Sequence, residues 1–143
     1  MDFDLTDMAG TVGGFREIAS PFAVLEQIEQ GVELAALDRL QQAVAPDDVG
    51  FRYAIVPKAT LARRQRDPAG RLSPEETGRL VRIASLWSLA RKVWGEDAAA
   101  RAFLRRPHML LGGRTPLDVA LGSELGARIA EDVLGGLLYG SAA

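Results

Sequence analysis

The chain has no cysteine and only one histidine, His108. Without thiols it forms no disulfide, iron–sulfur cluster or thiolate metal site, and a reducing compartment is the natural setting. A metal would have to be held by carboxylates, and no Asp or Glu residues cluster at ligand spacing. Long apolar runs are missing too: none approaches the roughly 20 residues that span a bilayer. The opening residues, MDFDLTDMAG, are acidic where a signal peptide is basic. Together these absences give the expectation of a cytoplasmic protein with no membrane segment. No stretch sustains the two-residue alternation of a strand, and no repeat with a period of roughly 20–50 residues recurs.

What is present suits a globular protein. The 143 residues, 48% apolar and 25% charged, allow one domain with a real core, with or without a small appendage. The net charge of −2 conceals an asymmetry. Residues 1–57 hold 3 Arg/Lys against 10 Asp/Glu, residues 58–106 hold 12 against 5, and residues 107–143 hold 2 against 4. The basic middle block has two readings. One is an electrostatic footprint for nucleic acid; the other is a set of solvated helix faces whose acidic partners lie elsewhere.

Local signals predict an all-α chain. Residues 1–20, with Gly10, Gly13, Gly14 and several acids, read as a mobile acidic arm. Ser20-Pro21 opens a helix that stops at Gly31. Leu34, Leu37, Leu40 and Val44 mark a second helix, ended by Pro46. Short helices are expected over residues 47–53 and 57–65, followed by a turn at RDPAGR. Ser73-Pro74-Glu75-Glu76 is a capping box with proline at the first helical position. The helix it opens should reach Trp94 and end at Gly95. It is apolar nearly all round, with a narrow polar stripe near Arg82, Ser85 and Ser88, so it is either the central post of the fold or part of a dimer interface. A short helix from Asp97, a second cap at Thr115-Pro116-Leu117-Asp118, and a last helix from about Ser123 complete the series. That last helix carries Leu125, Ile129, Val133 and Leu134.

Two stretches invite a functional reading. LLGGRTPLDVA, residues 110–120, lacks the Walker spacing and a following Lys-Ser/Thr, and no strand precedes it as in a dinucleotide fold. Arg114 above a helix N-terminus would suit an anion. The simpler reading is that Gly112 and Gly113 supply positive φ for a tight turn while Thr115 and Pro116 cap and start the helix. His108, beside this turn, reads as structural rather than as a general base. The other stretch is IVPKATLARRQR. Two short helices with a brief connection have the layout of a helix-turn-helix, although such pairs occur in many α-proteins. The second helix would offer Lys58, Thr60, Arg63, Arg64 and Arg66 to DNA. No catalytic group, cofactor or metal site is expected, and the chain reads as a non-enzyme.

Taken in order, TLARR (60–64), LSPEE (72–76), a Trp-rich stretch, LGGRTPLD (111–118) and LYG (138–140) resemble the Xre/MbcA/ParS antitoxins of bacterial type II toxin–antitoxin modules. The resemblance covers roughly residue 30 to the end. It implies an Xre-like helix-turn-helix bundle over 21–100 and a small helical toxin-binding domain over 101–143. It further implies a RES-domain toxin as partner, an enzyme that uses NAD to degrade it or to ADP-ribosylate a target. The antitoxin's tail then lies over the toxin's NAD site. On this chain the implied toxin-binding residues are Arg114, Leu138, Tyr139, Gly140, Ser141, Ala142 and Ala143, with Gly112, Gly113, Thr115 and Pro116 shaping the domain. Lys58, Thr60, Arg63 and Arg64 fall in the implied recognition helix, which represses the module's own operon. Dimers are common in the family. Ile55 stands where many members have glycine in the turn, and the acidic arm has no counterpart. A stand-alone DNA-binding regulator and a small enzyme are the competing readings.

Overall fold

The computed structural model describes residues 20–138. Of the expected arm over residues 1–20, all but Ser20 lies outside the described residues, as do the expected tail contacts at Tyr139 to Ala143. Among the described residues there is no β-strand, and the all-α expectation holds. The elements are α1 (Pro21–Gln30), α2 (Leu34–Val44), a 3₁₀ helix (Val49–Ala54), α3 (Lys58–Gln65), α4 (Pro74–Trp94), α5 (Asp97–Leu104), a second 3₁₀ helix (Met109–Leu111), α6 (Pro116–Gly122) and α7 (Glu124–Leu138). The chain falls into two compact units that divide between Ala84 and Ser85, inside α4. Within the second unit Trp87 on α4 is buried under the Arg101 guanidinium of α5, 5.7 Å from its ring, so the end of α4 packs with α5.

In the first unit, Ser20 Oγ accepts from the Ala23 amide at 3.2 Å and caps α1, and Gly31 ends it at φ 80°. Gly31 is required twice over, since a Cβ there would also collide with the carbonyl of Leu72. The chain after α1 and the chain before α4 are tied together at this point. Leu72 N–H donates to Val32 O at 2.9 Å, and Arg71 Nη1 donates to Gly31 O at 3.0 Å. Leu37, Leu40 and Val44 bury one face of α2, which packs beside the 3₁₀ helix, and Phe51, Ile55, Val56, Leu61 and Leu80 are buried in the same unit. The helix expected over 47–53 is instead the 3₁₀ helix Val49–Ala54, because i→i+3 bonds close it: Phe51 N–H to Asp48 O and Ile55 N–H to Arg52 O, both 3.1 Å. At the head of α4, Ser73 Oγ accepts from Glu76 N–H at 3.2 Å and Ser73 N–H donates to Glu76 Oε1 at 2.8 Å, a complete capping box.

In the second unit, Leu86, Trp87, Ala90, Phe103, Leu104, Leu117, Ala120, Ala130 and Leu134 fill the core. The expected polar stripe of α4 is not solvated here. Ser85 and Ser88 are buried, and Ser85 Oγ donates to Glu131 Oε1 of α7 at 3.2 Å. Asp97 joins the two arginines that flank the Trp87 ring, at 3.1 Å from Arg91 and 4.0 Å from Arg101.

Candidate functional site

Residues 108–114 form a closed loop. His108 N–H donates to Arg114 O at 3.0 Å, and Gly113 N–H returns to His108 O at 3.0 Å. Gly112 and Gly113 take φ of 65° and 79°. His108 Nδ1 accepts from Leu110 N–H at 3.2 Å, and its ring meets Phe103 edge-on at 5.7 Å, itself 5.6 Å from Trp94. An aromatic row thus holds the loop, and the one imidazole is spent on a backbone cap. Thr115 Oγ1 accepts from Asp118 N–H at 3.0 Å, Pro116 is buried at the start of α6, and the Arg114 side chain is exposed alongside Gly122. The loop carries Met109, 91% exposed, and Leu110, 73% exposed, at its tip.

Helix α7 has two apolar faces. Ala127, Ala130 and Leu134 are buried on one side. Leu125 and Ile129, one turn apart, are exposed on the other, with Val133 half-buried in the same row; Leu137, also exposed, stands at the end of the helix seven residues after Ala130. Sequence periodicity finds these residues but does not tell which face is filled. Leu138 closes α7. Glu131 lies on the inner side, and desolvation by burial holds its carboxyl above the ordinary range; Asp132 pushes the same way, while Ser85 and Arg128 oppose it.

In the first unit, α3 buries one residue, Leu61. Lys58 and Arg63 are exposed, and Thr60 and Arg64 are half-buried. The Lys58 ammonium sits 5.7 Å from the centre of the Tyr53 ring. Arg64 turns inward to the carboxylate of Glu76. Outward stand Ala59, Ala62, Arg63 and Arg66, all exposed. The connection before α3 needs no glycine. Ile55 has φ −94°, its side chain is fully buried, and its carbonyl accepts from Arg79 Nε and Nη2 at 3.1 and 2.9 Å. Among the described residues no three His, Asp or Glu side chains gather to hold a metal ion, and no helix is long and apolar enough to cross a membrane.

Comparisons with known proteins divide the chain in the same two parts. Residues 23–85 match the antitoxin Xre-like helix-turn-helix domain, and residues 89–140 match the antitoxin Xre/MbcA/ParS C-terminal toxin-binding domain. An "Antitoxin Xre" of Pseudomonas putida is 31% identical over 82% of this chain and 72% of its own length. An "Antitoxin Xre" of Yersinia enterocolitica is 30% identical over 88% of each chain. With a helix-turn-helix unit, a toxin-binding unit and relatives that match along both, the chain belongs to the Xre/MbcA/ParS antitoxin family.

Proposed function

We propose that this antitoxin captures its toxin on the outward face of α7 and neutralises it without chemistry of its own. The observation that carries this is the exposure of Leu125 and Ile129 on a helix whose opposite face is already filled. An apolar row of this kind, in a unit that matches a toxin-binding domain, suits a helix laid into a partner's groove. The flanking Arg128 and Asp132 would set its register. Co-expression with the protein encoded beside it is the test. Ile129→Arg should leave the antitoxin folded and abolish the complex on size exclusion. A complex that survives the substitution places the docking surface elsewhere.

The finer reading rests on the family resemblance and on the composition of the tail. The partner is a RES-domain toxin that consumes NAD. Leu138 and Tyr139 approach its NAD site, and Gly140, Ser141, Ala142 and Ala143, small and uncharged, enter it. Arg114, exposed on the 108–114 loop, adds a toxin contact, and Gly112, Gly113, Thr115 and Pro116 hold the docking unit in shape. The antitoxin acts as a dimer in the cytoplasm, and light scattering on the purified protein tests the dimer.

A second role is favoured by the basic outward face of α3. There Arg63 and Arg66 stand beside two alanines that permit close approach to a groove. In this role the first unit grips DNA at the antitoxin's own promoter. Binding that weakens steeply with salt supports it; salt-independent binding argues against it.

A further inference from the structure

Arg63 and Arg64 are neighbours of one type in a basic helix, yet the structure gives them opposite surroundings. Arg64 stands three residues after Leu61, the single buried residue of α3, and therefore on the same face. Its guanidinium meets Glu76 Oε1. That carboxylate is 5% exposed and also accepts from Ser73 N–H at 2.8 Å, so one oxygen joins the end of α3 to the capping box that starts α4. Gly70 closes the same corner, since a Cβ there would collide with the carbonyl of Arg64. An eight-residue helix with one buried side chain is marginal by itself. Its orientation depends on Leu61 and on this pair.

We propose that Arg64 is a positioning residue that fixes the pose of α3 through Glu76, and that the nucleic-acid contacts come from the Ala59–Ala62–Arg63–Arg66 face. This rests on the proposed DNA-binding role of α3. A phosphate contact and a positioning residue differ in what salt does to them. Removing a contact lowers the slope of log affinity against log salt by about one unit. Removing a positioning residue weakens binding and leaves the slope alone, because the contacting charges remain.

The probe is a duplex covering the promoter region of the antitoxin's own gene, titrated at a series of salt concentrations. Arg63→Ala and Arg66→Ala should each flatten the slope by about one unit. Arg64→Ala and Glu76→Gln should each weaken binding roughly tenfold with the slope unchanged, and the double variant should be no weaker than either single. Glu76→Gln is the sharper variant. Glutamine keeps the capping box, so α4 still starts at Pro74. The change also deletes a negative charge, so charge alone would tighten binding to DNA. Amide hydrogen exchange of residues 58–65 should accelerate in both variants while α2 stays protected. A slope flattened by Arg64→Ala as by Arg63→Ala, or unchanged exchange in Glu76→Gln, overturns the assignment. A parent protein that shows no salt-dependent binding removes the DNA role itself, and the exchange measurement still decides whether the pair holds α3.

Discussion

The backbone carbonyl of Val119 occupies the space that a Cβ on Gly126 would need. Helix α7 therefore lies against α6 at a distance only glycine permits. Ser123, whose side chain accepts from Gly126 N–H at 2.9 Å, caps the same turn. Gly126→Ala forces the two helices apart, and overpacking against backbone costs on the order of 1–3 kcal/mol. The melting temperature should fall by several degrees, and toxin capture should weaken with it. An unchanged melt would show that the helices separate freely.

Gly112 and Gly113 present the opposite case. A Cβ at either meets nothing within 4 Å, so space is not the constraint. The constraint is φ, 65° and 79°. Valine at these positions should cost on the order of 1–3 kcal/mol each through the backbone alone. Asparagine, which tolerates the left-handed region, should cost much less at Gly112. The pair of melts separates the two mechanisms. Equal loss for asparagine and valine at Gly112 would contradict a purely backbone effect.

What the sequence made legible was local. Ser73, Pro74, Glu76 and Gly95 bound α4 within a few residues of each end, and Thr115-Pro116 does the same for α6. The tie between Ser85 and Glu131 spans 46 residues and leaves no local mark, so the sequence shows Ser85 and Ser88 only as part of a polar stripe. On α7, Leu125, Ile129, Val133 and Leu134 form one apolar set in the sequence; only the packed structure shows that Leu134 faces in and Leu125 and Ile129 face out. Arg64 was separable from Arg63 in principle, since Leu61 three residues earlier fixes the buried face. The 3₁₀ helix Val49–Ala54 was not, because i→i+3 and i→i+4 bonding share the same short-range residue preferences.

Burial raises the Glu131 carboxyl above its ordinary range, and its Oε2 has no hydrogen-bond partner among the described residues. The folded state thus holds the proton more tightly than the unfolded chain. The stabilising contribution of this group is complete below the unfolded pKa and is lost as pH rises through the raised, folded one. Above the unfolded value, the cost of ionising the buried carboxyl works against the fold. Glu131→Gln, similar in shape and uncharged, should raise the melting temperature at pH 7 and leave it little changed at pH 4. A variant less stable than the parent at both pH values would mean that the charge is compensated in the native protein.

The tail prediction tests how neutralisation is achieved. Docking and blocking are separable if the α7 face supplies affinity and the residues after it supply occlusion. The chain ends in Tyr139-Gly140-Ser141-Ala142-Ala143, short, uncharged side chains after one aromatic. Such a segment carries little side-chain entropy to lose on entering a narrow site. Tyr139 adds an aromatic face and a hydroxyl, a combination common at protein interfaces. Truncation after Leu138 leaves in place every core residue described for the second unit. The shortened antitoxin should therefore fold and still bind the toxin, with affinity reduced by roughly one order of magnitude if one modest contact is lost. If the toxin consumes NAD, as proposed, the shortened form should no longer stop that consumption at saturating concentration. The measurement is NAD turnover by the toxin with excess antitoxin, intact or truncated. Complete inhibition by the truncated form would move the blocking contacts onto α7 itself, and Ile129→Arg in the same assay would then locate them.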